Sequence, residues 1–151
     1  MNFSIAPADD TALAEIVAIE KAAFSDPWSM RSFREALGHP AVYFACARSS
    51  AGEVRGYVVA WFVADQGEIA NLAVAPEGWG SGIGRALLDA AVKEARAREI
   101  ETVFLEVRDS NQRARRLYQS GGFEEVGRRR EYYRRPVEDA IVLRRTLRQD
   151  E

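Results

Sequence analysis

Gly78, Gly80, Gly82 and Gly84 stand at alternate positions directly ahead of a predicted helix. The first N–H groups of a helix have no intrahelical partner, and the helix dipole adds positive potential there, so such a spot favours an anion. Glycines leave the backbone amides open to close approach by a phosphate or pyrophosphate. The chemistry expected of this loop is phosphate binding; a turn that merely reverses the chain is the alternative. Ile83, Arg85 and Leu87 occupy the positions where the last glycine of G-x-G-x-x-G would fall, and no Walker lysine follows. A dinucleotide or nucleoside-triphosphate site is therefore disfavoured.

Other reactive side chains offer less. Cys46 is the single cysteine and lies in an apolar run, where a buried, inert thiol is expected. It cannot form an intrachain disulfide, and no cluster of Cys and His suggests a metal. His39 precedes Pro40 in a turn and reads as a surface residue, with no nucleophile near it in sequence.

The elements needed to hold the glycine loop alternate in type. A short strand near Phe3 to Ala6 precedes a helix capped by Asp9 or Asp10, with Leu13, Ile16, Val17, Ala23 and Phe24 at helical spacing. Ser29 caps a second helix in which Phe33 and Leu37 share a face, and Gly38 with Pro40 stops it. Val42 to Arg48 and Val54 to Val63 are strand-like runs joined by Ser-Ser-Ala-Gly, a hairpin connection. Glu68 to Val74, the glycine loop, a helix over Arg85 to Glu99 and a strand over Thr102 to Val107 make one βαβ crossover, hence two parallel strands. Asn111 to Ser120 reads as a helix ended by Gly121 and Gly122, and the tail to about Leu147 as two strands joined around Pro136. The expected fold class is mixed α/β, with one central sheet and helices on both faces.

At 151 residues with 47% hydrophobic composition, the chain fits a single domain over 1–151. The start, Met-Asn-Phe-Ser-Ile-Ala-Pro, lacks a basic region followed by an apolar run, and no stretch approaches the ~20 apolar residues that span a bilayer. A cytoplasmic setting without membrane association is expected. A net charge of −2 gives no general case for nucleic acid. From Arg108 to Arg148, however, twelve arginines face six acidic residues. The interleaved acids suggest a solvated face more than a clean basic patch.

Ala73-Val74-Ala75-Pro76, the loop Trp79-Gly80-Ser81-Gly82-Ile83-Gly84 and the following Leu87-Leu88 resemble the acetyl-CoA-binding segment of GNAT acetyltransferases, R/Q-x-x-G-x-G/A. Three further stretches are similar to the RimI-like members, which acetylate the N-terminal alanine of a small-subunit ribosomal protein. They are Asp26-Pro27-Trp28-Ser29 with Phe33, Leu105 to Asn111 running on to Leu117-Tyr118 and Gly122-Phe123, and Tyr132-Tyr133 with Glu138-Asp139-Ala140. The resemblance covers nearly the whole chain and departs from the motif at Trp79, where Gln or Arg is expected. It implies the GNAT fold, a mixed sheet of about seven strands with about four helices, and acetyl-CoA as cosubstrate with no metal.

On that resemblance, the backbone of Leu72, Ala73 and Val74 pairs with the pantetheine arm, Gly80, Ser81, Gly82, Ile83, Gly84 and Arg85 wrap the pyrophosphate, and Asn111 also binds the coenzyme. The coenzyme lies in a V-shaped opening between the two parallel strands, where the crossover alone also predicts a ligand. Acetyl transfer to an amine needs a base for the ammonium proton, donors for the oxyanion and an acid for the thiolate. Glu106 is implied as proton acceptor and Tyr118 as donor to the sulfur. An ion pair with Arg108 is the structural alternative for Glu106, and a packed aromatic with a capping hydroxyl that for Tyr118. Glu68 is a weaker candidate base.

Trp28, Tyr132 and Tyr133 fall where the resemblance puts the peptide acceptor. Strand alternation lets at most one of the two tyrosines reach it. The arginines beside them look poorly matched to a basic acceptor. An α-amine titrates near 7.7–8.0 and lysine near 10.4, so at pH 7 roughly 10% of the former and ~0.04% of the latter is unprotonated. That difference spares ~3.4 kcal/mol of deprotonation and makes one glutamate sufficient for an N-terminus. The expected activity is N-terminal acetylation of a ribosomal protein. Acetylation of lysine or a small amine, and an acyl-CoA-binding module without turnover, are the alternatives.

Overall fold

The computed structural model describes residues 2–147. Among them are seven strands, β1 (Phe3–Pro7), β2 (Val42–Ser49), β3 (Val54–Val63), β4 (Gln66–Val74), β5 (Thr102–Arg108), β6 (Glu124–Arg134) and β7 (Val137–Thr146). Four α-helices accompany them: α1 (Leu13–Ala23), α2 (Met30–Leu37), α3 (Ile83–Ala97) and α4 (Gln112–Ser120). The strands form one sheet in the order β1-β2-β3-β4-β5-β7-β6. All neighbours are antiparallel except β4 and β5, joined through α3 as the crossover predicts. None of the described helices is long and apolar enough to cross a membrane.

The sheet separates two apolar layers. On one face α3 buries Ile83, Leu87, Leu88, Ala91, Val92 and Ala95 against β2, β3 and β4, the helical stripe expected from sequence. Leu87 and Leu88 are fully enclosed, each worth about 2 kcal/mol by area removed from water. On the other face α1 and α2 pack Leu13, Ile16 and Phe33 against Phe44, Tyr57 and Val59. Local signals set the starts of these helices: Asp9 Oδ1 accepts from Thr11 N at 3.0 Å ahead of a 3-10 turn, and Ser29 Oγ accepts from Ser32 N at 3.1 Å.

One part of the α1 stripe is not as expected. The helix ends at Ala23, Phe24 turns to an extended φ of −130°, and both residues are exposed. The stripe closes instead on Glu20, which is 1% exposed.

β4 and β5 are in register only from Gln66–Thr102 to Ile69–Leu105, and then diverge. The cause lies in β4. Val59 pairs with Asn71 and Ala60 with Ile69, so Ala70 is an extra, unpaired residue that bends the strand. β5 continues straight, because β7 pairs with it throughout, from Thr102–Thr146 to Arg108–Ala140. The result is a fork with its mouth at the C-terminal ends of the two parallel strands. β6 is the far edge of the sheet and is exposed almost along its whole length, which suits its run of arginines.

Candidate active site at the fork

The side of the fork expected to take the coenzyme is built from backbone. Ala75 N donates to Arg55 O at 2.8 Å, so in the antiparallel ladder Ala75, Ala73 and Asn71 turn their N–H and C=O groups towards β3. Leu72 and Val74 therefore turn theirs into the fork, where no strand meets them. Of the three residues expected to pair with a pantetheine arm, Ala73 is the exception, because its backbone groups face Tyr57.

The glycine loop leads into α3 with Gly82 as N-cap at φ +88°, and Gly80 also lies at positive φ, +78°. A Cβ at either would meet nothing within 4 Å, so these two glycines are required by backbone conformation beside open space. Gly78 and Gly84 serve a different need. A Cβ on Gly78 would come within 2.9 Å of Ile83, and one on Gly84 within 3.3 Å of Leu117 on α4. The cap has no side chain, so the first N–H groups of α3 are left for a ligand, and the loop fits a phosphate group. Ser81 donates both its Oγ and its backbone N–H to Gly78 O, and the Arg85 side chain pairs with Asp89 at 3.0 Å, so Arg85 offers a ligand its backbone N–H. Asn111 Oδ1 caps α4 by accepting from Ala114 N at 3.1 Å, leaving its amide N–H groups for other partners.

Glu106 is the first residue of β5 beyond its last pairing with β4. It shares a half-buried face with Phe104 and Arg108, opposite Leu105 and Val107 of the α3-side core. Its partner is not Arg108 but Arg129 of β6, whose Nε donates to Glu106 Oε2. Arg108 instead contacts Glu138 at 3.2 Å and Ser25 Oγ of the α1–α2 connection at 2.9 Å. Beside the fork lies a cavity of about 300 Å³ lined in part by Trp61, Glu68, Phe104, Glu106, Arg129 and Val142. Glu68 faces Glu106 across it. Partial burial and the Glu106 charge raise the Glu68 carboxyl pKa, with Arg129 opposing.

Tyr118, on α4, belongs to the apolar layer on the α3 face of the sheet. It is 7% exposed and lies edge-on to Phe123, with centroids 6.2 Å apart. Burial raises its pKa, so the hydroxyl holds its proton. No capping bond from that hydroxyl is present among the described residues.

Tyr132 and Tyr133 depart from simple alternation. The register of β6 shifts between Arg129 and Tyr133, and Glu131 lies at φ +49°. The rings consequently meet edge-to-face, with centroids 5.2 Å apart. Burial and then the Glu106 charge raise both pKa values, that of Tyr133 to about 12. Both hydroxyls thus feel the Glu106 charge, although neither ring lines the cavity. Two of the five arginines around them are paired: Arg128 with Asp109 and Asp139, and Arg129 with Glu106. Arg148 lies outside the described residues.

Trp28 packs on Phe33 with centroids 5.2 Å apart, and its backbone N–H is held by Glu20 Oε2 at 2.9 Å. Sequence reading missed Glu20. Its carboxylate also receives Tyr57 OH and Asn71 Nδ2, the latter at 3.0 and 3.2 Å, joining the α1–α2 connection to the bulged part of β4. The available signal was a carboxylate at a stripe position, four residues after Ile16. Cys46 is buried in β2, and burial raises its thiol pKa, as suits a packing residue. His39 is exposed, with Nδ1 accepting from Ala41 N at 3.1 Å. Among the described residues no group of three or more His, Cys, Asp or Glu could hold a metal ion.

A bulged strand forking from its parallel neighbour, with a phosphate-binding loop at one side and a carboxylate at the branch point, invites comparison with known proteins. Residues 13–123 match the Acetyltransferase (GNAT) family. The [ribosomal protein bS18]-alanine N-acetyltransferase of Escherichia coli (strain K12) is 35% identical over 144 residues, covering 93% of this chain and 95% of that protein. The crystal structure of the ribosomal-protein-S18-alanine N-acetyltransferase from Escherichia coli superposes with a TM-score of 0.88 at 31% identity, covering 99% of this chain and 97% of that one. A chain of the NatC complex bound to Gag peptide and CoA gives a TM-score of 0.86 at 26% identity, covering 98% of this chain and 100% of that one. With the fork, the glycine loop and these likenesses together, the chain belongs to the GNAT family and is an acetyl-CoA-dependent acetyltransferase.

Proposed function

We propose that the chain transfers acetyl from acetyl-CoA to the N-terminal α-amine of a protein, the acceptor being the alanine terminus of the small-subunit ribosomal protein bS18, in the cytoplasm. The acceptor rests on the activity named for the 35% identical Escherichia coli protein. The observation that carries the reaction is the position of Glu106, one residue past the last β4–β5 pair and on the cavity wall.

When bound, acetyl-CoA supplies a thioester acetyl group. Leu72, and Val74 through its backbone N–H, would hold the pantetheine arm, and the loop from Gly80 to Arg85, with Asn111, would hold the phosphates. An N–H of the bulged segment Ala70 to Leu72 stabilises the acetyl oxygen. Glu106, directly or through a water, takes the proton from the acceptor ammonium, whose approach displaces Arg129. As the freed amine attacks the thioester carbonyl, the C–N bond forms and the C–S bond breaks; Tyr118, kept protonated by burial, gives its proton to the departing sulfur and is reprotonated by the second proton shed from the nitrogen. Transfer is direct, in a ternary complex, with Cys46 taking no part.

The acceptor enters between the Trp28 loop and the Tyr132–Tyr133 hairpin. The cavity holds two carboxylates, Glu68 and Glu106, against one guanidinium, Arg129, so an acceptor carrying positive charge is accommodated despite the arginine-rich tail. Mass spectrometry of peptide panels incubated with protein and acetyl-CoA tests this reading. Acetylation at the α-amine of alanine-initiated ribosomal peptides is expected. Modification confined to lysine side chains or polyamines would reassign the acceptor, and coenzyme binding without turnover would remove the enzymatic role.

A further inference from the structure

Trp79 stands where the coenzyme-binding motif has Gln or Arg, so the loop lacks that polar side chain. The indole is not loose. Its Nε1 donates to Val74 O at 2.9 Å, one of the fork-facing carbonyls, which holds the ring at the mouth of the fork while leaving it 52% exposed. Over that ring lies the Arg113 guanidinium, 3.9 Å from the centroid. Arg113 is in the first turn of α4, four residues before Leu117, whose side chain packs over Gly84 in the first turn of α3. The two helices thus bring the cation to the phosphate-binding loop from the neighbouring element.

Arg113 has no carboxylate partner within 4 Å among the described residues, whereas Arg115, two positions on, is shared between Asp109 and Glu125. Its planar face is occupied by the indole, and its N–H edges remain available. A guanidinium held in this way, beside a helix N-terminus with no side-chain cap, suits a phosphate oxyanion.

We propose that Trp79 and Arg113 act together as an added phosphate clamp for the coenzyme, with Arg113 donating to a phosphate oxygen and Trp79 serving as its platform. The missing side chain of the loop is thereby replaced from α4. This inference rests on coenzyme binding at the fork, as proposed above, and extends it to residues outside the glycine motif.

Calorimetric titration of CoA, dephospho-CoA and pantetheine into the wild-type protein, Arg113→Ala, Arg113→Lys and Trp79→Ala tests it. Arg113→Ala should weaken CoA binding about tenfold and flatten its salt dependence, with pantetheine binding unchanged. Trp79→Ala should cost a similar factor, and the double variant no more than the worse single one, because the two side chains act as a unit. Arg113→Lys should recover part of the loss. A penalty that persists with dephospho-CoA assigns Arg113 to the diphosphate, and one that vanishes assigns it to the 3′-phosphate. CoA affinity unchanged in Arg113→Ala, or an equal loss for pantetheine, overturns the clamp. Failure of the wild-type protein to bind CoA would instead overturn coenzyme binding at the fork.

Discussion

The two sides of the fork are made from different materials. Apart from the side chains at the start of α4, the proposed coenzyme side is a contiguous stretch, Leu72 to Arg85, which works through backbone amides, positive-φ glycines and a helix terminus. The proposed acceptor side is assembled from side chains far apart in the chain: Trp28 held by Glu20, Glu68 on β4, Glu106 on β5, and Arg129, Tyr132 and Tyr133 on β6. A ligand common to a family can be gripped by backbone, which tolerates sequence change. An acceptor that varies calls for side chains, which can be exchanged singly. Substitutions on the two sides should therefore separate coenzyme affinity from acceptor kinetics.

The largest expected effect is on the coenzyme side. Gly82→Asp puts a side chain at φ +88° and a negative charge at the N-terminus of α3. Strain and repulsion together should weaken CoA binding by about 10²-fold or more, measured by calorimetry, while the acceptor cavity is untouched. Tyr118→Phe should lower kcat by about 10–10²-fold with the Kd for acetyl-CoA nearly unchanged. The pH behaviour carries a sign. The Tyr118 pKa is raised in the folded protein, so the proton is retained through the ordinary tyrosine value of about 10, and wild-type kcat should show no fall below that pH from its ionisation.

Glu20→Ala leaves Tyr57, Asn71 and the Trp28 N–H without their buried partner, and should cost about 2 kcal/mol in denaturant unfolding. Above that loss, the KM for peptide should rise more than the KM for acetyl-CoA, because the released segment is the Trp28 loop. The smallest effect is expected from Arg129→Ala. Removing the cation that occupies Glu106 should lower the KM for a peptide ammonium about two- to fivefold in initial-rate assays. A rise in that KM would make Arg129 part of acceptor binding instead.

The same division decides what could be read from the residues in order. The crossover, the α3 stripe and the glycine loop follow from periodicity and spacing within some forty residues, and the structure has them where expected. Even there, one reason was assigned to four glycines that serve two needs, since close packing at Gly78 and Gly84 depends on Ile83 and Leu117 in three dimensions. The acceptor side was far less accessible. That Glu106 pairs with Arg129 rather than Arg108 depends on β7 lying between β5 and β6, a strand order that local pattern does not encode. The irregularity in β6 that brings Tyr132 and Tyr133 together sits at a non-glycine residue, Glu131, and carries no turn signature. Glu20 was hidden by the habit of reading only apolar residues in a helical stripe.

The central claim is that the carboxylate at the branch of the fork accepts the proton of the incoming amine. The most direct measurement is kcat against pH for the wild-type protein and Glu106→Gln, with an alanine-initiated peptide at saturating acetyl-CoA. Glu106→Gln should be slower by about 10²-fold or more across the profile, and the profile's shape should differ from that of the wild type. Superimposable profiles of equal height would contradict the account.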